Sequence, residues 1–164
     1  MVDKVWQSYE EVAAHLLNRF AEHFSLGSVH GKQIVPGESG TNWEIDAKGW
    51  AVDGQSFVIV ECKRYTTSRV SQAIAASLAW SIRDAGAAGG ILVSPLGLQA
   101  GALKVAEKEK IHEVKLDAKS TTTDYVMRFL GQIHVGTAAQ VTLTESYHIV
   151  RMDEHGNIIE ERNG

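Results

Sequence analysis

Trp43-Glu44-Ile45-Asp46, then Asp53-Gly54, then Phe57-Val58-Ile59-Val60-Glu61-Cys62-Lys63-Arg64 is the stretch on which the fold turns. Asp-Gly between two apolar segments is a strong hairpin signal. Trp43 to Val52 alternates in part, as a half-buried strand does, and Phe57 to Val60 is a continuous apolar run, which suits a central strand covered on both faces. A two-residue turn at Asp53-Gly54 sets Val52 across from Gln55 and, counting back, Asp46 across from Glu61 and Glu44 across from Lys63. Facing residues in an antiparallel pair share a side of the sheet, with β-carbons roughly 5 Å apart. Glu61 and Lys63 share that side as well, because side chains alternate along a strand. A four-residue loop would set Asp46 opposite Lys63 and keep the same side; a one-residue bulge would not.

Two carboxylates facing each other repel, and a cation between them reverses the sign. Magnesium takes oxygen ligands, often one or two carboxylates plus several waters. Such an ion activates water and stabilises charge on a phosphoryl oxygen. Lys63 is then placed to orient or deprotonate the attacking water, with its pKa depressed by burial and the neighbouring ion. These are the parts of a phosphodiester hydrolase. The plain alternative is that Glu-x-Lys sits on a solvated strand and that Glu44 and Lys63 form a surface ion pair of little energetic weight.

Outward from this hairpin, Trp6 to Phe24 carries apolar residues at helical spacing, with Gly27 as its stop, and Lys32 to Val35 reads as a short strand. Ser68 or Ser71 caps a second helix running to about Ala85. A buried strand Ile91-Leu92-Val93, a helix from about Leu98 to Lys110 and a strand Ile111 to Leu116 follow. That order predicts an α/β fold: a central mixed β-sheet flanked by helices, with parallel pairing in its second half. From about Thr121 the chain turns β-rich, with strands at Tyr125 to Val135, Gln140 to Met152 and Ile158-Ile159, a turn lying between the last two. We read this as an extension, about 121–164, of one domain spanning 1–164 whose core covers about 6–117.

The chain has 164 residues and a net charge of −4, so it lacks the overall basic footprint usual in nucleic-acid binders; Arg64, Arg69 and Arg83 are close enough in sequence to form a local one. A single cysteine, Cys62, excludes an internal disulfide and a cysteine-based zinc site, and its alternation marks it as a core thiol. No apolar run is long enough to cross a bilayer, and Met1-Val2-Asp3-Lys4 lacks the layout of a secretory signal, so a cytoplasmic location is expected. The seven histidines show no metal-ligand spacing. Gly37-Glu38-Ser39-Gly40 is a loop that either offers backbone N–H groups to a phosphate or only connects. Trp50, near the hairpin tip, is the tryptophan best placed to stack on a base; the others suit core packing.

The quoted residues resemble the PD-(D/E)xK nuclease superfamily, the restriction-endonuclease-like fold, and most closely its Mrr-type catalytic domain. The likeness rests on Asp46 after the first strand, on Glu61-Cys62-Lys63-Arg64 after the second, and on the helix–strand–helix–strand order that follows, including Gly90-Ile91-Leu92-Val93-Ser94, Ala102 and Ala106; it covers roughly 6–117. It implies a magnesium- or manganese-dependent endonuclease acting on DNA, with Asp46, Glu61 and Lys63 catalytic and Asp46 and Glu61 holding the metal. It also implies a glutamate from the first helix as a further ligand. Tyr9-Glu10 followed by Leu16-Leu17 matches that pattern, and Glu10 borders the apolar face while Glu11 points away. An acidic residue there equally suits the helix dipole. Glu44, Arg64, Arg69 and Gln72 are expected near the metal or the DNA. Ile45 replaces the proline of the pattern, and Ala76 stands where a tyrosine accompanies the glutamine at Gln72.

No recognition domain is visible, so the β-rich extension or a partner subunit is expected to supply target choice, and a homodimer is expected because one metal site cuts one strand of a duplex. Two alternatives remain: a non-catalytic nuclease-fold subunit that binds DNA or assembles a defence or mobile-element system, and a structure-specific resolvase of the Holliday-junction type.

Overall fold

The computed structural model describes residues 8–117, 124–130, 145–153 and 157–164. The expected strand segments within 131–144, the turn at 154–156 and the start of the first helix at Trp6 lie outside them.

Helix α1 spans Tyr9–Arg19. Ser8 caps it, its hydroxyl accepting from the Glu11 N–H at 3.2 Å, and Glu10 and Glu11 place negative charge at the positive end of the dipole. Tyr9, Val12, Ala13, Leu16 and Leu17 form its buried stripe. The helix is shorter than the sequence periodicity predicts. It gives way to a 3-10 turn, Ala21–Phe24, and Ser25 adopts a left-handed φ of 54°. Gly27 therefore does not stop a helix; it lies inside strand β1, Leu26–His30, which periodicity did not reveal.

β2 (Gln33–Pro36) and β3 (Asn42–Ile45) pair with each other as a separate ribbon. β4 (Ala47–Ala51) and β5 (Phe57–Cys62) form the expected hairpin, with facing pairs Ala47–Val60, Lys48–Ile59, Gly49–Val58 and Trp50–Phe57. This is the register counted from a two-residue turn. Gly54 takes φ +68° at the tip, where a side chain would be strained. The single strand expected from Trp43 to Val52 is in fact two strands broken at Asp46, because β3 leaves the main sheet to pair with β2.

Helix α2 (Gln72–Asp84), capped by Ser71, leads to β6 (Gly89–Ser94), helix α3 (Ala100–Lys108) and β7 (Ile111–Leu116). β8 (Asp124–Leu130), β9 (Glu145–Met152) and β10 (Ile158–Asn163) complete the sheet. The eight-stranded order is β1-β4-β5-β6-β7-β8-β9-β10, parallel from β5 to β7 and antiparallel elsewhere. The fold is α/β with a mixed sheet.

The sheet separates two cores. Val58, Val60, Cys62, Ile91, Val93, Val114 and Leu116 pack under α1, together with Met127, Val150 and Met152 of the β-rich extension. Ile59 and Leu92 face α2 and α3 on the other side. β5 is thus buried on both faces, as its apolar run requires, and each fully buried Val or Ile contributes roughly 1.5–3 kcal/mol. Among the described residues no helix is long and apolar enough to cross a membrane.

Candidate active site

Parallel strands end where β5 emerges from its core, and there the chain turns polar. Ile59 points into the α2–α3 core; Glu61 and Lys63, two and four residues on, point the same way but lie beyond it, half-buried. Asp46, at the break between β3 and β4, reaches across the hairpin, and its Oδ2 accepts the backbone N–H of Cys62 at 2.7 Å. Lys63 Nζ contacts Glu61 Oε1 at 2.5 Å. The structure thus brings Asp46, Glu61 and Lys63 together.

Burial is the main cause of the site's electrostatics. It raises the pKa of Asp46, partly offset by the Cys62 N–H and reinforced by the charge of Glu10. It raises Glu61 likewise, opposed by the Lys63 hydrogen bond and reinforced by Asp46 and Glu10. For Lys63, burial acts downward, but the hydrogen bond and charge of Glu61 outweigh it and the pKa rises. With Glu61 beside it, the amine is a protonated donor at neutral pH; the depression expected above belongs to a site that also holds a metal ion.

Glu10, in the first turn of α1, lies close enough for its charge to act on Asp46, Glu61 and Cys62. Among the described residues no three His, Cys, Asp or Glu side chains are grouped closely enough to grip one metal ion together. The donor set is the Asp46–Glu61 pair, with Glu10 flanking it. One oxygen of each carboxylate of the pair is engaged, Asp46 Oδ2 and Glu61 Oε1, which leaves Oδ1 and Oε2 for a cation. Hard oxygen donors from two carboxylates, destabilised as anions by burial, fit magnesium or manganese.

Other expected residues are placed differently. Glu44 does not face Lys63; it pairs with Ile34 across the ribbon, and its carboxylate meets Lys32 Nζ at 2.6 Å, both side chains about two-thirds exposed. The cause is the strand break at Asp46, which carries Glu44 out of the main sheet. Glu44 still lines, with Trp43, Glu61, Lys63, Ser77 and Leu78, a cavity of about 200 Å³ between the ribbon and α2. Arg64 and Arg69 are exposed in the loop after β5. Arg83 does not join them, since its guanidinium donates to both carboxylate oxygens of Glu109, at 2.8 and 2.5 Å. Gln72 begins α2 and lies over Gly101 of α3, where a Cβ would meet its Oε1 at 2.4 Å. Trp50 is partnered by Lys48, whose amine sits 4.1 Å from its ring centre and 4.0 Å from that of Phe57.

The loop 37–40 directs its N–H groups to partners within the chain. Gly37 and Gly40 N–H close the turn on Thr41 and Gly37 carbonyls, and the Glu38 N–H goes to the Asp84 carbonyl. The Ser39 N–H and hydroxyl and Trp43 Nε1 all donate to the Asp84 carboxylate, at 2.8, 2.7 and 2.7 Å. Those bonds hold the Asp84 carboxyl below its usual range, Ser39 and Trp43 being the main causes. Asp84 thus pins the ribbon, and with it the Trp43 wall of the cavity, to the end of α2. Sequence reading missed it. The available signal was an acidic residue in the last turn of a helix, where the dipole disfavours it and some other partner is needed.

Comparison of the chain with known protein families gives no match, and comparison with curated proteins gives none. Among solved structures the fold resembles one titled "Crystal Structure of Protein of Unknown Function AF1548", at 18% sequence identity and a TM-score of 0.53, with 63% of this chain and 56% of that chain covered. The chain therefore spans little more than half of that protein, and the likeness is one of fold.

Proposed function

We propose that the protein is a metal-dependent nuclease of the restriction-endonuclease-like kind that hydrolyses phosphodiester bonds in DNA. The observation that carries this reading is the convergence of Asp46, Glu61 and Lys63 at the exit of a strand buried on both faces. Asp46 and Glu61 would hold magnesium or manganese, with Glu10 flanking. The bound ion supplies an activated water and electrophilic help at the phosphoryl group.

The chain's own residues do the rest. The Cys62 N–H fixes Asp46 through Oδ2 and leaves Oδ1 for a cation. Lys63, protonated, offers its amine to a non-bridging phosphate oxygen or to the attacking water and neutralises charge as it develops. Its ion pair with Glu61 holds the amine in place while the site waits for substrate. A homodimer suits duplex cleavage, since one such centre cuts one strand.

The test is incubation of supercoiled plasmid with magnesium or manganese, beside EDTA and a Lys63→Ala variant. Nicking that disappears in both controls supports the enzyme, and comparison of branched with linear DNA separates a resolvase from a restriction-type activity. The second reading, a non-catalytic nuclease-fold subunit, is favoured by the absence of a three-carboxylate group among the described residues. DNA binding without cleavage across both metals would select it.

A further inference from the structure

Strand register aligns one row of side chains across the sheet at the level of the candidate site. Lys63 N–H continues the β5–β6 ladder to the Val93 carbonyl, so Lys63 stands beside Ser94. Ser94 pairs with Lys115 on β7, Lys115 with Arg128 on β8, and Arg128 with Tyr147 on β9. Four belong to the face opposite α1, because their neighbours Cys62, Val93, Val114, Leu116 and Met127 are in the α1 core, and Tyr147 shares that face because it stands directly opposite Arg128. At about 4.8 Å per strand the row runs about 19 Å from Lys63 to Tyr147.

Three of its members are cationic, one is an aromatic, and none is acidic. α2 and α3 cover this face only as far as β7, so beyond them Arg128 and Tyr147 are open to solvent, Tyr147 at 43%. The Tyr147 ring rests on Gly164, where a Cβ would come within 2.3 Å of its oxygen, so one side is backed by main chain. Ser94 is buried where the loop after β6 folds over it, with the Gly97 N–H donating to its hydroxyl. That loop lies close against both Lys115 and Glu113: a Cβ on Gly97 would sit 2.5 Å from Lys115 Cε and 2.2 Å from Glu113 Oε1.

The next row toward the strand starts, Glu61–Leu92–Glu113, is acidic. Farther out, Arg151 and Arg162 both face Glu160. The positive track is therefore one residue wide.

We propose that this row, Lys63–Lys115–Arg128–Tyr147, is a track for one strand of DNA. The lysines and Arg128 would meet successive phosphates and Tyr147 would stack on a base, leading the strand to the candidate site. This rests on the nuclease reading for its choice of partner. The charges of Lys115 and Arg128 support it, as does the row's continuity with Lys63, whose amine is shared with Glu61. The narrowness of the track selects a single backbone rather than a broad acidic protein surface.

The test is equilibrium binding of a fluorescent 20-nucleotide DNA, single-stranded and duplex, followed by anisotropy in EDTA over a range of salt. Lys115→Gln and Arg128→Gln are expected to weaken binding alike for all sequences, each lowering the slope of log affinity against log salt by about one. Tyr147→Ala is expected to cost roughly tenfold in affinity. Lys108→Gln, at the far end of α3, is the control and leaves affinity as it was. Thermal melts confirm that each variant is folded.

Equal affinity and slope in Lys115→Gln, Arg128→Gln and unaltered protein overturns the track, as does failure of the unaltered protein to bind either DNA. The two proposals separate cleanly. Arg128-dependent binding without cleavage under any metal sinks the nuclease and keeps the track; cleavage with Arg128-independent binding does the reverse.

Discussion

Asp46 carries two tasks that a substitution separates. Its Oδ2 anchors Cys62 N–H, and its charge is destabilised by burial. Asp46→Asn keeps an acceptor for Cys62 while removing the charge. It is expected to leave the fold intact and to lower plasmid cleavage by at least about 100-fold. Lys63→Ala is expected to do the same, for loss of the donor, with the change read in kcat. His112 offers a separate prediction. It is 5% exposed, packs edge-on against Phe24, and burial lowers its pKa from the ordinary 6.5 to about 4. A lowered folded pKa means that the neutral ring's contribution is complete above pH 6.5 and is lost as pH falls toward 4. At 1.36 kcal/mol per pKa unit this is roughly 3 kcal/mol. Chemical denaturation between pH 7 and pH 4 is expected to show that loss, and His112→Leu to remove most of it.

At the scale of elements, the ribbon β2–β3 is held by Val35 and Ile45 in the α2–α3 core and, at its loop, by the Asp84 carboxylate. Asp84 takes three hydrogen bonds from Ser39 and Trp43, and Gly37 leaves room for it: a Cβ there would lie 1.9 Å from Asp84 Oδ2. Asp84→Ala is expected to loosen the ribbon without unfolding the sheet, because β2 and β3 pair only with each other. Limited proteolysis is the measurement, with new cleavage expected between 31 and 41; a digestion pattern identical to that of the unaltered protein would refute the pin. The β4–β5 hairpin is fixed more firmly. Its register sets which side every residue of β5 faces, so adding one residue to β4 would carry the candidate carboxylates out of alignment with each other.

For the whole molecule, the candidate site is a place of stored electrostatic cost. Asp46 and Glu61 have folded pKa values above the ordinary ones, so their contribution to stability is fully present at acid pH and is lost as pH rises through those raised values. Near neutral pH the metal-free protein is therefore expected to be less stable than a variant carrying both Asp46→Asn and Glu61→Gln. A divalent ion reverses the order. Magnesium or manganese is expected to raise Tm in the unaltered protein, more at pH 8 than at pH 5, and not in the double variant. Scanning calorimetry with and without EDTA checks both signs.

Local chemistry determined a good deal of this protein on its own. The Asp53-Gly54 turn set the register, alternation put Glu61 and Lys63 on one side, and the apolar run of Phe57 to Val60 marked the central strand. Ile111–Leu116 was legible to the residue, and Ser71 was one of the two serines read as the cap of α2. These features depend on neighbours a few residues away or across one tight turn, where sequence spacing is itself geometry. What only the tertiary structure decided depends on chain segments that meet from afar. β1 forms because β4 is there to receive it, and Asp46 becomes a break because β3 finds β2 rather than β5. Glu44 therefore meets Lys32, and Lys63 keeps Glu61 to itself. Asp84 reaches 45 residues back to Ser39, and the row from Lys63 to Tyr147 exists only once five strands lie side by side, because no local pattern encodes which strands will become neighbours.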